Sequence, residues 1–508
     1  MQPLVTSHQM QEIDRRTISD MGLPELLLME HAALGVVKAL QQRFGDLLPR
    51  TRGIILAGMG NNGGDALAVA RILDSIGVKK IFVGVLGTSK KLKPSTKAQS
   101  QILGKLGIPV FWPKKPDLEL FESCDWIIDG IFGTGLTRDV QAPYLQWINY
   151  TNQYEGKKWI ISIDVPSGLD SDTGQVCGKA VKASQTVTLG FIKKGLVTGS
   201  AADYVGLLTL EPIQIPRLIP FSVNAFLYGA QDAIKLPQRR PTSHKGTFGH
   251  VYVWAPEDDK QGAGILTCLG ALRSGAGLVT LVGSKERLKA IRERLPPEIM
   301  TEEASENLFK NSSGVWVQGP GMGIKDIEQS FAFLEKAIQV GWKCVLDADL
   351  LNAASSNLAT FLKIIKKSGV DQVILTPHPK EAARLLDEEV REIERDRFAF
   401  VKKLAEKVNC SIVLKGKGTL IQSPERPCVV VCSGDTGLSK GGTGDLLAGV
   451  LASFLAQGLS IELGAPLAVY IHGKVSERVT QVFGHERSTL AGDLANQIIE
   501  VLRELESQ

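Results

Sequence analysis

Short, almost continuously apolar runs alternate along this chain with longer stretches of mixed polarity. Residues 52–58 (RGIILAG), 80–87 (KIFVGVLG), 125–130 (DWIIDG) and 158–165 (KWIISIDV) are rich in isoleucine and valine. A strand covered on one face alternates apolar and polar positions. A continuous run predicts a strand buried on both faces, as in a parallel sheet. Residues 66–77 and 95–107 lie between these runs and read as helices. Two further helices are predicted at the start, one stopping at Gly22 and one opening at Pro24 and stopping at Gly45. The second half repeats the alternation. Residues 244–283 read as strand, glycine loop, helix and strand, and later apolar runs end before Gly319, Asp347 and His378. The pattern predicts an α/β protein with parallel sheets. The proline-rich stretch 212–241 lacks helical periodicity. It sets a boundary between a domain at 1–220 and one at 221–508, and no short-period repeat is visible.

Composition narrows the function. At 508 residues, two or three domains are expected. A net charge of +4 is too small to suggest a nucleic-acid or membrane partner. No apolar run approaches the ~18 residues of a membrane span. The opening MQPLVTSHQM has no basic region and no apolar core, so no secretory signal is expected. The seven cysteines are scattered and form no CxxC pair, which argues for reduced thiols and a cytoplasmic location.

Chemistry concentrates at strand ends. The most informative stretch is residues 433–450, SGDTGLSKGGTGDLLAGV. Its glycines let backbone approach a ligand, and the helix that follows points free N–H groups and a positive dipole end at an anion. Asp445 then stands in the first helical turn beside an expected phosphate. A carboxylate there repels the phosphate, so a general base is the more economical reading than a dipole-complementing acid. In the first half, Gly58, Gly60 and Gly63 spell GxGxxG between a strand and a helix, the dinucleotide fingerprint. The next strand ends in glycine, threonine and lysines, with no acid to hold a ribose, so a hydride-transferring dehydrogenase is disfavoured. Three strands bring Asn61, Asn62, Asp65, Asp129, Asp164 and Ser167 to one sheet edge, and such oxygen donors could hold a hard cation. Walker A, HExxH and GxSxG motifs are absent.

The strings HKGTFGHV, RSGAGLVT, GPGMG, DADLLN, TPHPKEAARLL, LKGKGT and GGTGDLLAG, in order over residues 244–450, resemble the ADP- or ATP-dependent NAD(P)H-hydrate dehydratases of ribokinase-like fold. GNNGGD, DGIFGTGLTRDVQAPY and SIDVPSGLD resemble the NAD(P)H-hydrate epimerase domain. Together they resemble the fused NAD(P)H-hydrate repair enzymes. The resemblance implies an N-terminal Rossmann-like three-layer αβα domain and a C-terminal ribokinase-like αβα domain. It implies that Asn61, Asn62, Gly63, Gly64, Asp65, Gly133, Thr134, Gly135, Leu136, Thr137, Arg138, Asp139 and Asp164 bind the hydrated dinucleotide. It also implies a potassium ion on Asn62, Asp129 and Ser167. In the second half, Ala263, Gly323, His378 and Asp445 would line the hydrate pocket, with Lys415, Gly416, Lys417, Gly418, Thr419 and Gly444 holding nucleotide. Departures from the pattern are Ala66, His31 and Ser439-Lys440. Lys440 is expected to be solvated.

The implied substrate is NADH or NADPH with water added across a ring double bond, leaving a hydroxyl on the carbon next to the ring nitrogen. Hydroxide leaves poorly. Phosphorylating it makes a better leaving group, which the nitrogen lone pair can expel. Asp445 would take the hydroxyl proton, backbone at 442–444 would stabilise the transferring charge, and Mg²⁺ would neutralise phosphates. The first half would interconvert R and S hydrates, with Asp164 as the acid/base and Asp65 as the alternative. Hydrated NADH or NADPH and ADP are the expected partners, and a homo-oligomer is expected. ADP against ATP stays open, as does NADH against NADPH. The alternatives are a ribokinase-like small-molecule kinase fused to a dinucleotide-binding domain, and a non-catalytic binding protein.

Overall fold

A computed structural model describes all residues except 217–220, 234–235, 238, 311–312, 326, 370 and 508. It divides into two compact units, Pro3–Asn224 and Ala225–Gln508 with Met1–Gln2. Part of the stretch 212–241 lies outside the described residues. Within it, Ala225–Tyr228 forms a strand that the proline content hides.

In the unit Pro3–Asn224 a seven-stranded sheet runs Val110–Phe111, Lys80–Val85, Arg52–Ala57, Trp126–Gly130, Trp159–Ile163, Gln185–Leu189, Leu207–Glu211. Every pairing in it is parallel. Alternate strand residues point to opposite faces, and here the two faces feed separate cores. Ile55, Ala57, Ile128, Ile161 and Ile163 pack with helices Glu25–Phe44 and Asn61–Ser75. Ile54, Leu56, Ile127 and Ile160 pack with Phe121, Trp147 and Ile148 of helices Leu118–Ser123 and Tyr144–Asn152. That double coverage is why these strands read as unbroken apolar runs. Beside the sheet, Leu4 and Val5 pair in parallel with Ile192 and Lys193.

In the unit Ala225–Gln508 the strands lie in the order Met300–Glu303, Leu278–Gly283, His250–Trp254, Val315–Gln318, Lys343–Leu346, Val373–Leu375, Ser411–Leu414, Thr419–Gln422, Cys428–Val431, Ala225–Tyr228. Thr419–Gln422 runs antiparallel to both neighbours, and the other pairings are parallel. One face packs Val251, Val253, Val315, Val317 and Val345 against helices Thr443–Ala456 and Ile461–Phe483. The intervening Tyr252, Trp254 and Trp316 face the other way, into an aromatic cluster with Phe309, Phe333 and Trp342. Both units are thus α/β layers around a mostly parallel sheet. No helix among the described residues is long and apolar enough to cross a membrane, and the cysteines are all free thiols.

Two candidate active sites

In the first unit, strand Arg52–Ala57 runs through Gly58 and Gly60 into helix Asn61–Ser75. The glycine spacing serves backbone packing. A Cβ on Gly58 would stand 1.9 Å from the Ile131 carbonyl, and one on Gly63 would stand 2.0 Å from the Gly58 carbonyl. The helix start is thereby pressed onto two strand ends. A Cβ on Gly130, at the end of the neighbouring strand Trp126–Gly130, would stand 2.6 Å from the Ala66 methyl. A Cβ on Gly60 would meet nothing within 4 Å, and the residue lines a cleft of about 610 Å³.

That cleft gathers Asn61, Asn62, Asp65, Gly133, Thr134, Gly135, Leu136 and Asp164. Gly63 and Gly64 are buried behind it, while Thr137, Arg138 and Asp139 are exposed beyond its wall. A Cβ on Gly133 would touch both Asn62 and Asp164 at 3.4 Å, so the three loops converge. Asp164 follows strand Trp159–Ile163 with φ +66°, a left-handed conformation that costs a non-glycine residue energy and clusters at functional sites. Its Oδ1 accepts from the Leu189 N–H at 3.2 Å and from the Lys193 ammonium. Lys193 is fully buried and also donates to the Leu189 carbonyl at 2.7 Å. Asp65 is buried too. Burial, then the neighbouring Asp164, Asp14 and Glu25, push its carboxyl well above the usual range.

The proposed cation ligands meet around Phe132. Asn62 Nδ2 donates to the Phe132 carbonyl at 2.8 Å, and the Phe132 N–H donates to Ser167 Oγ at 2.8 Å. Ser167 Oγ in turn donates to Asp129 Oδ1 at 2.5 Å, and its N–H to Oδ2 at 2.9 Å. Asp129 is wholly buried, which pushes its carboxyl up against the opposing effect of these donors. Asn62 Oδ1 is buried without a partner.

The second unit builds its site at the start of helix Thr443–Ala456. Gly442 caps it at φ +92°, a conformation glycine adopts at little cost. Close packing fixes the helix. A Cβ on Gly449 would stand 2.0 Å from the Thr267 carbonyl of helix Gln261–Arg273. Asp445 shares a cleft of about 390 Å³ with Lys260, Ala263, Gly321 and Asp349. Burial first, then Asp347, push its carboxyl up to about 6, and Lys415 opposes them. Asp349 accepts from Lys260 Nζ and from the Gly323 N–H, each at 2.9 Å. Gly323 thus stands behind this wall, held by Asp349.

Lys415 Nζ donates to the buried Asp347 Oδ1 at 2.7 Å. A Cβ on Gly444 would lie 3.4 Å from that ammonium and 3.8 Å from Asp347 Oδ2. The pair therefore sits against the helix start. Ala348, next to Asp347, has φ +48°. His378 caps helix Pro379–Leu386: its Nδ1 accepts the Lys380 and Glu381 N–H groups at 3.1 and 3.2 Å. Its Nε2 lies 3.2 Å from Glu381 Oε1. Burial pushes Glu381 up to about 7 and, with Lys415, pushes the His378 imidazole down.

The loop 415–419 does not present every predicted group outward. Lys417 Nζ donates to the Gly434 carbonyl at 2.7 Å, and Thr419 Oγ1 to the Gly416 carbonyl at 2.9 Å. Beneath the loop, buried Arg397 donates to the Leu414, Lys415 and Gly418 carbonyls. Lys440, expected to be solvated, donates to the Arg487 carbonyl in an exposed hydrogen bond. Arg397, Lys193 and Asp14 carry no local motif, and only their place in the fold marks them; Asp347 and Glu381 lie inside DADLLN and TPHPKEAARLL, but their burial and partners come from the fold.

The sequence matches the family model described as NAD(P)H-hydrate dehydratase over residues 251–500 and that described as YjeF-related protein N-terminus over 25–195. The bifunctional NAD(P)H-hydrate repair enzyme Nnr of Coxiella burnetii is 33% identical over 500 residues, covering 97% of this chain and 98% of its own. The chain belongs to this family of bifunctional NAD(P)H-hydrate repair enzymes. The Escherichia coli member is 29% identical over 506 residues, covering 96% of this chain and 92% of its own. Among solved structures, an ADP/ATP-dependent NAD(P)H-hydrate dehydratase from Bacillus subtilis co-crystallized with ATP/Mg²⁺ is similar. It is 28% identical, with a TM-score of 0.47, covering 56% of this chain and all of that one. Like its family, the chain is a bifunctional enzyme, an NAD(P)H-hydrate epimerase joined to an NAD(P)H-hydrate dehydratase.

Proposed function

We propose that the cleft around Asp164 performs the epimerisation and the cleft around Asp445 the nucleotide-dependent dehydration of the S hydrate, with ADP as phosphoryl donor. One observation carries the dehydratase reading. Asp445, pushed up to about 6, stands in the first turn of a helix whose start is flanked by the Lys415 ammonium. A base with that affinity is mostly ionised at neutral pH yet accepts a proton readily. Asp445 takes the substrate hydroxyl proton as that oxygen attacks the terminal phosphorus. The backbone at 442–444 and Lys415 stabilise the charge on the transferring group. Ala263 and Gly321 shape the wall beside the reacting ring, and Gly323 and His378 support it. The loop 415–419, held by Arg397, takes the nucleotide.

Two ions accompany this reading. Mg²⁺ needs only one or two protein carboxylates when phosphates supply the rest, and Asp349 and Asp445 line the same cleft. When bound it would offset phosphate charge. Potassium fits Asn62, Asp129 and Ser167. Asn62 offers an unpartnered buried oxygen, and Asp129 a buried carboxylate whose recorded partners are all neutral. When bound it would supply positive charge to Asp129. In the epimerase cleft Asp164 acts as the base, held by Lys193, while the loops 61–65 and 133–136 hold the dinucleotide. Free thiols suit a reducing, cytoplasmic setting.

Separated isomers test the assignment. Asp445→Asn is expected to lose ADP-dependent recovery of the reduced nicotinamide absorbance by about 10²–10⁴-fold while still interconverting R and S hydrates. Asp164→Asn is expected to do the reverse. Normal dehydration by Asp445→Asn would remove the base assignment.

A further inference from the structure

The N-terminal helix contributes to the first cleft in a way no motif announces. Helix Ser7–Ser19 presents Met10, Asp14 and Ile18 to it, one turn apart. Met10 is buried and makes apolar contacts with the core beneath. Asp14 Oδ1 is buried and has no hydrogen-bond partner. An acceptor left in that state costs stability unless a ligand meets it, and this one lies in the wall of a cleft large enough for a nicotinamide nucleotide. The groups that interact with Asp14 come from several elements. Glu25 opens helix Glu25–Phe44, Asp65 lies in helix Asn61–Ser75, Asp164 follows strand Trp159–Ile163, and Lys193 ends strand Ile192–Lys193. Lys93 lines the same cleft ahead of helix Pro94–Lys105. Burial raises the Asp14 carboxyl to about 7. Asp164 and Glu25 add to this, and Lys193 opposes it. Asp14 therefore still holds its proton up to about neutral pH, whereas Asp164 is paired with the Lys193 ammonium and the Leu189 N–H. One carboxyl buried without a partner and one held by a cation, lining the same cleft, suit an acid and a base.

We propose that Asp14 is the general acid of the epimerisation, working with Asp164 as the base. This rests on the reading of this cleft as the epimerase centre. The hydrated ring carries its hydroxyl on the carbon bonded to the ring nitrogen. Asp164 takes the hydroxyl proton, a C=O double bond forms, and the carbon–nitrogen bond breaks with its electron pair going to nitrogen. Nitrogen takes the proton of Asp14. Rotation of the freed aldehyde presents its other face. Nitrogen then re-attacks and returns its proton to Asp14, while the oxygen recovers the proton held by Asp164. Both carboxyls end as they began, and no co-reactant is needed. Asp65 is the competing carboxyl, buried and pushed up by burial and its acidic neighbours, but it carries no unpartnered buried oxygen as Asp14 does, and its asparagine variant tells the two apart.

The test uses the full chain and purified R hydrate without nucleotide, with the R-to-S ratio followed by chromatography and the spontaneous rate subtracted. Wild-type turnover is expected to fall above pH about 7, as the acid loses its proton. Asp14→Asn is expected to lower kcat by about 10²–10⁴-fold, with a smaller change in KM, and to abolish that alkaline fall. Asp14→Glu is expected to recover part of the rate together with the alkaline fall, which separates acid chemistry from a packing role if the asparagine variant folds poorly. An Asp14→Asn rate within about threefold of wild type, or loss of the alkaline fall in Asp65→Asn instead, overturns the proposal. Unimpaired epimerisation by Asp164→Asn would overturn the reading of the cleft itself.

Discussion

Asp445→Asn is expected to make the dehydratase unit more stable as it makes it inactive. Asp445 in the folded chain is raised from its ordinary 3.8 to about 6, by burial first. Below about pH 4 the folded and unfolded states both hold the proton, and the residue contributes nothing. As pH rises from about 4 to about 6 the unfolded state releases its proton while the folded state keeps it. Folding stability therefore falls, and the deficit is complete above about pH 6 to 7. A move from 3.8 to about 6 corresponds to about 3 kcal/mol. The side chain is only partly buried and lines an open cleft, so solvent screening reduces this to about 1–2 kcal/mol. Asparagine carries no proton to lose. The variant should match wild type near pH 4 and exceed it by about 1–2 kcal/mol at pH 8. Two compact units make a single whole-chain transition ambiguous. Hydrogen exchange of strand Val315–Gln318 across a urea series reports the right unit. Equal stability at both pH values, or a variant less stable at pH 8, would refute the claim that burial holds a reactive carboxylate at a cost to folding.

Two further outcomes follow from the same geometry. Lys415→Met removes the cation that lowers Asp445 and leaves Asp347 buried without its partner. The dehydratase unit should lose about 3–5 kcal/mol, and the pH at which S-hydrate turnover switches on should move upward from about 6. An unmoved pH profile would separate Lys415 from the base. Replacing potassium by tetramethylammonium in the buffer should slow R-hydrate conversion while leaving S-hydrate repair intact, and equal slowing of both would disconnect the ion from Asn62, Asp129 and Ser167.

The strands of the first unit are legible because both of their faces are buried, which writes them as continuous apolar runs. The site loops are legible because they need glycines at close approaches and polar groups at strand ends. Three lessons are tertiary. Ala225–Tyr228 lies in a proline-rich stretch and becomes a strand only through its partner Cys428–Val431. Lys193 is one of two adjacent lysines, and only the pairing of Leu4 and Val5 with Ile192 and Lys193 marks it as the buried one. Asp14 sits in a helix whose polarity reads as an ordinary surface. Its neighbours Asp65, Asp164 and Lys193 are distant in sequence, so nothing local reports the burial of its oxygen. The glycine fingerprint at Gly58, Gly60 and Gly63 is an instructive overlap. Its first and third glycines answer to backbone packing, which a dehydrogenase and this cleft share.

The most direct test of the two-site account is product analysis with purified S hydrate, ADP and Mg²⁺. Reduced nicotinamide dinucleotide, AMP and inorganic phosphate are expected in equal amounts, with no recovery of absorbance when ADP is withheld. A stable phosphorylated dinucleotide with no gain in absorbance would contradict it, because the helix start at Asp445 would then serve a kinase.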